Sequence, residues 1–259
     1  MLLQNKVALV SGIGPGMGRD IALAFARHGA DVVLAARSQA SLVEVAEEVR
    51  QLGRTALAVP TDIADNDQCR RLVAAAIAEL GGVDVLINNA FAGGLEPDFE
   101  RADLARWREV FGVNVFGSLQ LTQLVVPLMK ERGGGSIVFI NSMSMRIVEA
   151  GMGGYAASKG ALMTAAQTLA RELGRHRIRV NSVVPGYIWS EKLAGYFRYL
   201  AKQQQRSYEE VLAEITSRTA LQHIPHSAEI ADAVLFFASD LSRAVTGQAL
   251  DVNGGHYFH

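Results

Sequence analysis

The feature that most constrains this chain is a regular alternation of short apolar runs with stretches of helical period. "KVALVS" (6–11) precedes "GRDIALAFARHG" (18–29), where Ile21, Ala24, Phe25 and His28 recur at helical spacing. "DVVLAA" (31–36) precedes "SLVEVAEEVRQLG" (41–53), with Leu42, Val45, Val49 and Leu52 on one face and Gly53 as a stop. The pattern continues with "TALAVPTD" (55–62) and a helix at 67–82, then "VDVLINNA" (83–90) and helices over 101–132. "GSIVFINS" (135–142) leads to a helix at 155–174. "IRVNSVVP" (178–185) leads to an irregular-to-helical region at 188–217 and a helix near 227–239, and "GQALDVNGG" (247–255) closes the series.

The seven runs are continuous in Val, Ile, Leu and Ala, which suits parallel strands covered on both faces. Strand–helix repetition with right-handed crossovers predicts an α/β fold, a single-domain Rossmann-like doubly wound sheet of seven mainly parallel strands with helices on both faces. No low-complexity linker divides residues 1–259, so one domain is expected. The region at 188–217 breaks the repeat and is the place for a substrate lid.

Composition narrows the function. An apolar fraction of 49% supports a sizeable core. A formal net charge of −1 lacks the basic bias of nucleic-acid or anionic-membrane binding, so neither partner is expected. One cysteine, Cys69, leaves no internal disulfide framework and suits a reducing cytoplasm. "MLLQNKVALVSG" reads as a first strand, not a signal peptide, and no apolar stretch is expected to reach membrane-span length. The histidines show no metal-ligand spacing; His256 and His259 read as a mobile or interfacial tail.

The turn after the first strand reads "SGIGPGMG" (11–18). The G-x-G-x-x-G fingerprint fits it in no register: from Gly12 the last place holds Met17, from Gly14 it holds Arg19. Gly12, Gly16 and Gly18 give a different spacing, G-x-x-x-G-x-G. In it Gly12 allows a sharp strand exit, Gly16 lets a pyrophosphate approach the backbone, and Gly18 lets the helix pack close. An ordinary glycine-rich loop is the competing reading. The end of the second strand reads "VVLAARS", with Ala36 where a ribose-binding acid would sit and Arg37 next to it. Lacking that carboxylate, and with a guanidinium able to grip a 2′-phosphate, the site is predicted to favour NADP(H), with NAD(H) the alternative.

"YAASK" places Tyr155 and Lys159 four apart, on one helix face. A tyrosine is a poor acid or base near neutrality, and a neighbouring ammonium favours its phenolate. Ser142, at the carboxyl edge of the fifth strand, can share that site. A surface Tyr–Lys pair is the plain alternative.

Taken in order, these residues resemble the short-chain dehydrogenase/reductase family over essentially the whole chain. "SGIGPGMG" resembles its T-G-x-x-x-G-x-G turn, "NNAF" (88–91) its N-N-A-G, and "PGYIWS" (185–190) its P-G-x-I-x-T segment. Asn114, Ser142, Tyr155 and Lys159 fall where its catalytic tetrad stands. The resemblance implies that Tyr155 moves a proton to or from the substrate oxygen and that Ser142 stabilises that oxygen. It implies that Lys159 lowers the Tyr155 pKa and binds the nicotinamide ribose, and that Asn114 holds a water leading to Lys159. It assigns cofactor contacts to Gly12, Gly16, Met17, Gly18, Arg37, Asp62, Ile63, Asn89, Ala90, Tyr155, Lys159, Pro185, Gly186 and Ile188. It also implies a homo-oligomer, a tetramer or dimer, built on the apolar helices around 101–132 and 153–174.

Three departures stand out. Phe91 replaces the last glycine of N-N-A-G and must turn away from the cofactor or wall its cleft. Ser11 replaces threonine and keeps the hydroxyl. Pro15, where many NADP-dependent relatives carry a basic residue or serine, offers no donor, so recognition of the 2′-phosphate falls to Arg37 with help from Ser38.

Met143, Met145, Val148, Met152, Tyr187 and Trp189 would line an apolar, adaptable substrate pocket. Arg146 either binds an anionic group or lies on the surface. The expected substrate is a mostly apolar ketone or secondary alcohol. A 3-oxoacyl thioester is the alternative, and a non-catalytic dinucleotide-binding sensor is the reading from another class.

Overall fold

The structure, a computed structural model, describes residues 1–258. Its continuous apolar runs become the strands β1 (Val7–Ser11), β2 (Asp31–Ala36), β3 (Ala56–Pro60), β4 (Val85–Asn88), β5 (Gly135–Ile140), β6 (Ile178–Pro185) and β7 (Ala249–Val252). They form one sheet of order β3-β2-β1-β4-β5-β6-β7, and every neighbouring pair is parallel. The five inner strands are buried along nearly their whole length, while the edge strands β3 and β7 are largely half-exposed. Continuous hydrophobicity therefore reports burial on both faces.

One face is covered by α1 (Met17–Arg27), α2 (Gln39–Gln51) and α9 (Ser227–Ala238). The other is covered by α3 (Asn66–Leu80), α5 (Ser118–Glu131) and α6 (Gly153–Leu173). Local chemistry sets helix ends: Asp65 caps α3 through the N–H groups of Asp67 and Gln68, and Gly81 stops it at φ +76°. Strand order reverses between β1 and β4, so the turns leaving these two strands face each other across a crevice at the carboxyl edge.

The expected helical region 101–132 resolves into α4 (Leu104–Phe111), a π turn (Gly112–Gly117) and α5, forming one continuous helix from Leu104 to Glu131. Contrary to the sequence expectation, this helix is long and apolar enough by composition to cross a membrane. The cause is packing: Leu121, Val125 and Met129 belong to the core beneath the sheet, and 44% of the most apolar window is buried within the chain.

The irregular-to-helical region 188–217 forms two helices, α7 (Glu191–Gln203) and α8 (Tyr208–Ser217). Ser207 and Glu210 form a reciprocal capping box that starts α8 and ends the continuity. These helices hold a small core of their own around Phe197, Ala201, Val211 and Ile215.

Candidate active site

The glycine turn is fixed by sterics. Gly12 sits at φ +77°, and a Cβ there would lie 2.5 Å from the Ala90 backbone. A Cβ on Gly18 would fall on the Gly12 carbonyl oxygen, whereas one on Gly16 would meet nothing within 4 Å. Ser11 Oγ donates to the Ile87 carbonyl at 3.1 Å and accepts from the N–H groups of Asn89 and Ala90. Asn89 Nδ2 donates to the carbonyls of Ser11 (3.1 Å) and Gly12 (2.8 Å). The serine that replaces threonine thus welds the β1 turn to the end of β4, and Asn89 acts through its scaffold bonds. Met17 opens α1, Pro15 lies on the exposed tip of the turn, and Arg19 is turned away onto Glu48.

Between these turns opens a cavity of about 290 Å³, lined by Gly12, Arg37, Asp62, Ile63, Asn89 and Ala90 as the sequence predicts. Ile13, Phe91 and Val113 also line it, with Ala36, Ser38, Thr61 and Ala92. Ile13 and Val113 gave no sequence signal, because their apolarity is indistinguishable from that of core residues. Arg37 is exposed and has no ion-pair partner among the described residues. The Ser38 hydroxyl is already engaged, capping α2 through Ser41 N–H. Open space over Gly16, the bare start of α1 and an unpaired guanidinium at the rim fit a dinucleotide with its phosphates over the turn.

At the other end of the crevice, Ser142 lies two residues beyond β5 and caps a short 3-10 turn, Met143–Met145. Tyr155 stands in the first turn of α6. The indole of Trp107 lies against Gly153 and Gly154, where a Cβ would come within 2.7 and 2.9 Å of it. Gly93, at φ +156°, presses its backbone on the Tyr155 ring, and Phe91 meets that ring edge-on at 6.3 Å. Phe91 therefore walls the cleft. Burial raises the Tyr155 phenol above its ordinary value, and a hydrogen bond with Ser142 offsets only part of that rise; the shift is set by burial and Ser142, not by the lowering from Lys159 that the resemblance implies.

Lys159 is buried, and its Nζ donates to the Ile140 carbonyl at 2.7 Å. It lies 5.7 Å from the centroid of the Tyr155 ring, and burial lowers its pKa to about 7. Asn114 sits in the π turn, a distortion frequent at functional sites. Its Oδ1 accepts from Ala92 N–H at 2.7 Å, and its Nδ2 donates to the Ala92 carbonyl and to Ser158 Oγ, both at 2.9 Å. Ser158 in turn donates to the Tyr155 carbonyl at 2.7 Å. Asn114 thus ties the loop after β4 to the helix that carries Tyr155, with both amide hydrogens committed.

Past β6, Gly186 comes close to Asn253, and a Cβ there would stand 3.5 Å from Met143 Sδ. This brings Gly186 beside the loop that follows Ser142, while Ile188 packs against the core on the α1/α2/α9 side. Ser190 caps α7 through Leu193 N–H. Met152 N-caps α6, next to Tyr155. Tyr187 lies under α7, with its ring 6.0 Å from Phe197 and 5.8 Å from His256.

Several sequence assignments need correction. Met145 lines a separate cavity of about 430 Å³ with Arg146, Met163 and Gln167. Trp189 packs against the α7/α8 core, with its backbone N–H on the Pro225 carbonyl at 2.8 Å. Arg146 neither awaits an anion nor lies on the surface; it pairs with Asp251 at 3.1 Å, both half-buried. Val148 is exposed. His256 is packed on Tyr187 instead of trailing in a tail, and His259 lies outside the described residues. Among the described residues no cluster of three His, Cys, Asp or Glu could hold a metal.

A family model described as enoyl-(acyl carrier protein) reductase matches residues 12–257. The chain is 35% identical to the 7alpha-hydroxysteroid dehydrogenase of Escherichia coli strain K12, over 98% of this chain and 94% of that one. It is 34% identical to the 3-oxoacyl-[acyl-carrier-protein] reductase FabG of Thermotoga maritima, over 98% and 99%. A solved 7alpha-hydroxysteroid dehydrogenase complexed with NADH and 7-oxo glycochenodeoxycholic acid matches with a TM-score of 0.89, 35% identity and coverage of 98% and 95%. The L-sorbose reductase of Gluconobacter frateurii, complexed with NADPH and L-sorbose, matches with a TM-score of 0.92, 29% identity and coverage of 99% and 98%.

Proposed function

Since the chain belongs to the short-chain dehydrogenase/reductase family and is a nicotinamide-dinucleotide-dependent oxidoreductase, we propose that it interconverts a mostly apolar ketone and its secondary alcohol with Tyr155 as general acid/base. The observation that carries this reading is the convergence of Ser142, Tyr155 and Lys159 at the carboxyl edge of β5, beyond Phe91 from a crevice that opens on the glycine turn and Arg37.

The dinucleotide supplies or takes up the hydride. Gly12, Gly16, Met17 and Gly18 would hold its phosphates, and Asp62, Ile63, Asn89 and Ala90 its adenosine side. Pro185, Gly186, Ile188 and Lys159 would bound its reactive end. Tyr155 gives its phenolic proton to the carbonyl oxygen during reduction, and Ser142 donates a hydrogen bond to that oxygen. Lys159, poised near neutrality by burial, restores the proton. With both Asn114 amide hydrogens committed, its side chain has no hydrogen left for the water that the resemblance places between it and Lys159.

Arg37 supports a preference for NADP(H) over NAD(H), because no described residue engages its guanidinium. The substrate enters past Met143, Met152 and Tyr187, and α7 and α8 close over it as a lid. The exposed side of the Leu104–Glu131 helix, including Phe116 at 65% exposure, supports a homo-oligomer. A cytoplasmic setting suits the free buried Cys69. A 3-oxoacyl thioester is the second reading; Glu96 and Glu149, in a cavity beside the loop carrying Ser142, count against an acidic carrier protein docking at that point, while Asp98 there is paired with Arg101. A hydride-transfer assay over a ketone and alcohol panel with both dinucleotides tests the reading. Absence of turnover with either one, alongside retained dinucleotide binding, would favour the sensor instead.

A further inference from the structure

Ser144 is a second hydroxyl at the catalytic centre that the tetrad does not use. Its backbone N–H donates to Ser142 Oγ at 3.2 Å, and its own Oγ lies 2.9 Å from Ser142 Oγ. A serine hydroxyl has two acceptor lone pairs and one proton. We propose that Ser144 is a positioning residue that fills both acceptor sites of Ser142, so that the single Ser142 proton points at the reacting oxygen. The inference rests on the reading of Ser142 as the donor to that oxygen.

The geometry favours this arrangement over one in which Ser142 spends its proton on Ser144: the Ser144 backbone N–H already occupies one Ser142 lone pair, and Ser142 also hydrogen-bonds the Tyr155 phenol, lowering its pKa against the larger upward effect of burial. The Ser144 hydroxyl has no other hydrogen-bond partner among the described residues, so its proton is available to Ser142. Nor does the turn depend on that side chain. The N–H groups of Arg146 and Ile147 bond the Met143 carbonyl at 2.8 and 2.9 Å, and Arg146 is anchored on Asp251. Removing the Ser144 hydroxyl leaves these bonds and frees one lone pair of Ser142, whose proton can then rotate back.

The test compares Ser144→Ala, Ser144→Thr, Ser142→Ala and the Ser142→Ala/Ser144→Ala double variant. Two quantities are read: turnover of the best ketone of the panel, and the Tyr155 ionisation midpoint, taken as near-ultraviolet absorbance against Tyr155→Phe. Ser144→Ala should lower kcat roughly three- to tenfold with KM little changed, the weight of one hydrogen bond. It should also raise the Tyr155 midpoint, and Ser144→Thr should restore both. In the Ser142→Ala background the second substitution should move the Tyr155 midpoint no further. An Ser144→Ala variant with unchanged kcat and midpoint, or one that shifts the midpoint equally in both backgrounds, overturns the proposal. Unchanged turnover in Ser142→Ala would instead overturn the reading of Ser142 itself.

Discussion

Lys159 Nζ donates to the Ile140 carbonyl at 2.7 Å while standing 5.7 Å from the Tyr155 ring centroid. The ammonium is therefore held by the end of β5, the strand that also delivers Ser142, and α6 supplies both Lys159 and Tyr155. One carbonyl in a buried site does not replace the water an ammonium loses, so the pKa falls from 10.5 to about 7.

That shift has a stability consequence. Between about pH 7 and the ordinary lysine value the unfolded chain carries a proton on Lys159 that the folded chain has lost. Stability therefore rises with pH across this window and is lost as pH falls toward 7. Urea midpoints of the wild type should climb from pH 7 to pH 10 relative to those of Lys159→Met. Parallel pH profiles for the two proteins would show that Lys159 is not shifted.

Arg37 should act on one dinucleotide only. Arg37→Ala is predicted to weaken NADPH binding roughly tenfold or more, the weight of charge-assisted bonds to a phosphate, and to leave NADH binding unchanged. Its exposure means no loss in Tm. Equal loss for both dinucleotides, measured by fluorescence titration, would remove Arg37 from recognition of the 2′-phosphate.

Gly16 and Gly18 should fail differently. Gly18→Ala drives a Cβ onto the Gly12 carbonyl and should destabilise the fold by about 1–3 kcal/mol. Gly16→Ala meets open space, so it should fold with a normal Tm yet bind dinucleotide poorly. Thermal melts and titrations on the two variants separate these outcomes; tight binding by Gly16→Ala would place the phosphates elsewhere.

How much of this was legible in the sequence follows from which forces act locally. Strand identity and sheet class were readable because burial on both faces writes continuous Val/Ile runs, as in "IRVNSVVP". The glycine turn and the Tyr155–Lys159 pair were readable because each requires a fixed spacing. What a side chain touches across the chain was not. Asn89 and Ser11 lie 78 residues apart and yet bond each other. Nothing in "MSMRIV" says that Arg146 finds Asp251 or that Met145 lines a different cavity. The supports of Tyr155, namely Trp107, Gly93 and Ser158, were likewise hidden, since small residues and an indole carry no catalytic signature.

The central claim is proton transfer by Tyr155, and hydride transfer measured on Tyr155→Phe tests it most directly. Wild type and variant should melt alike, and both should bind NADPH. With an apolar ketone that the wild type reduces, the variant should be slower by roughly a hundredfold or more. Equal turnover by the two proteins would contradict the account.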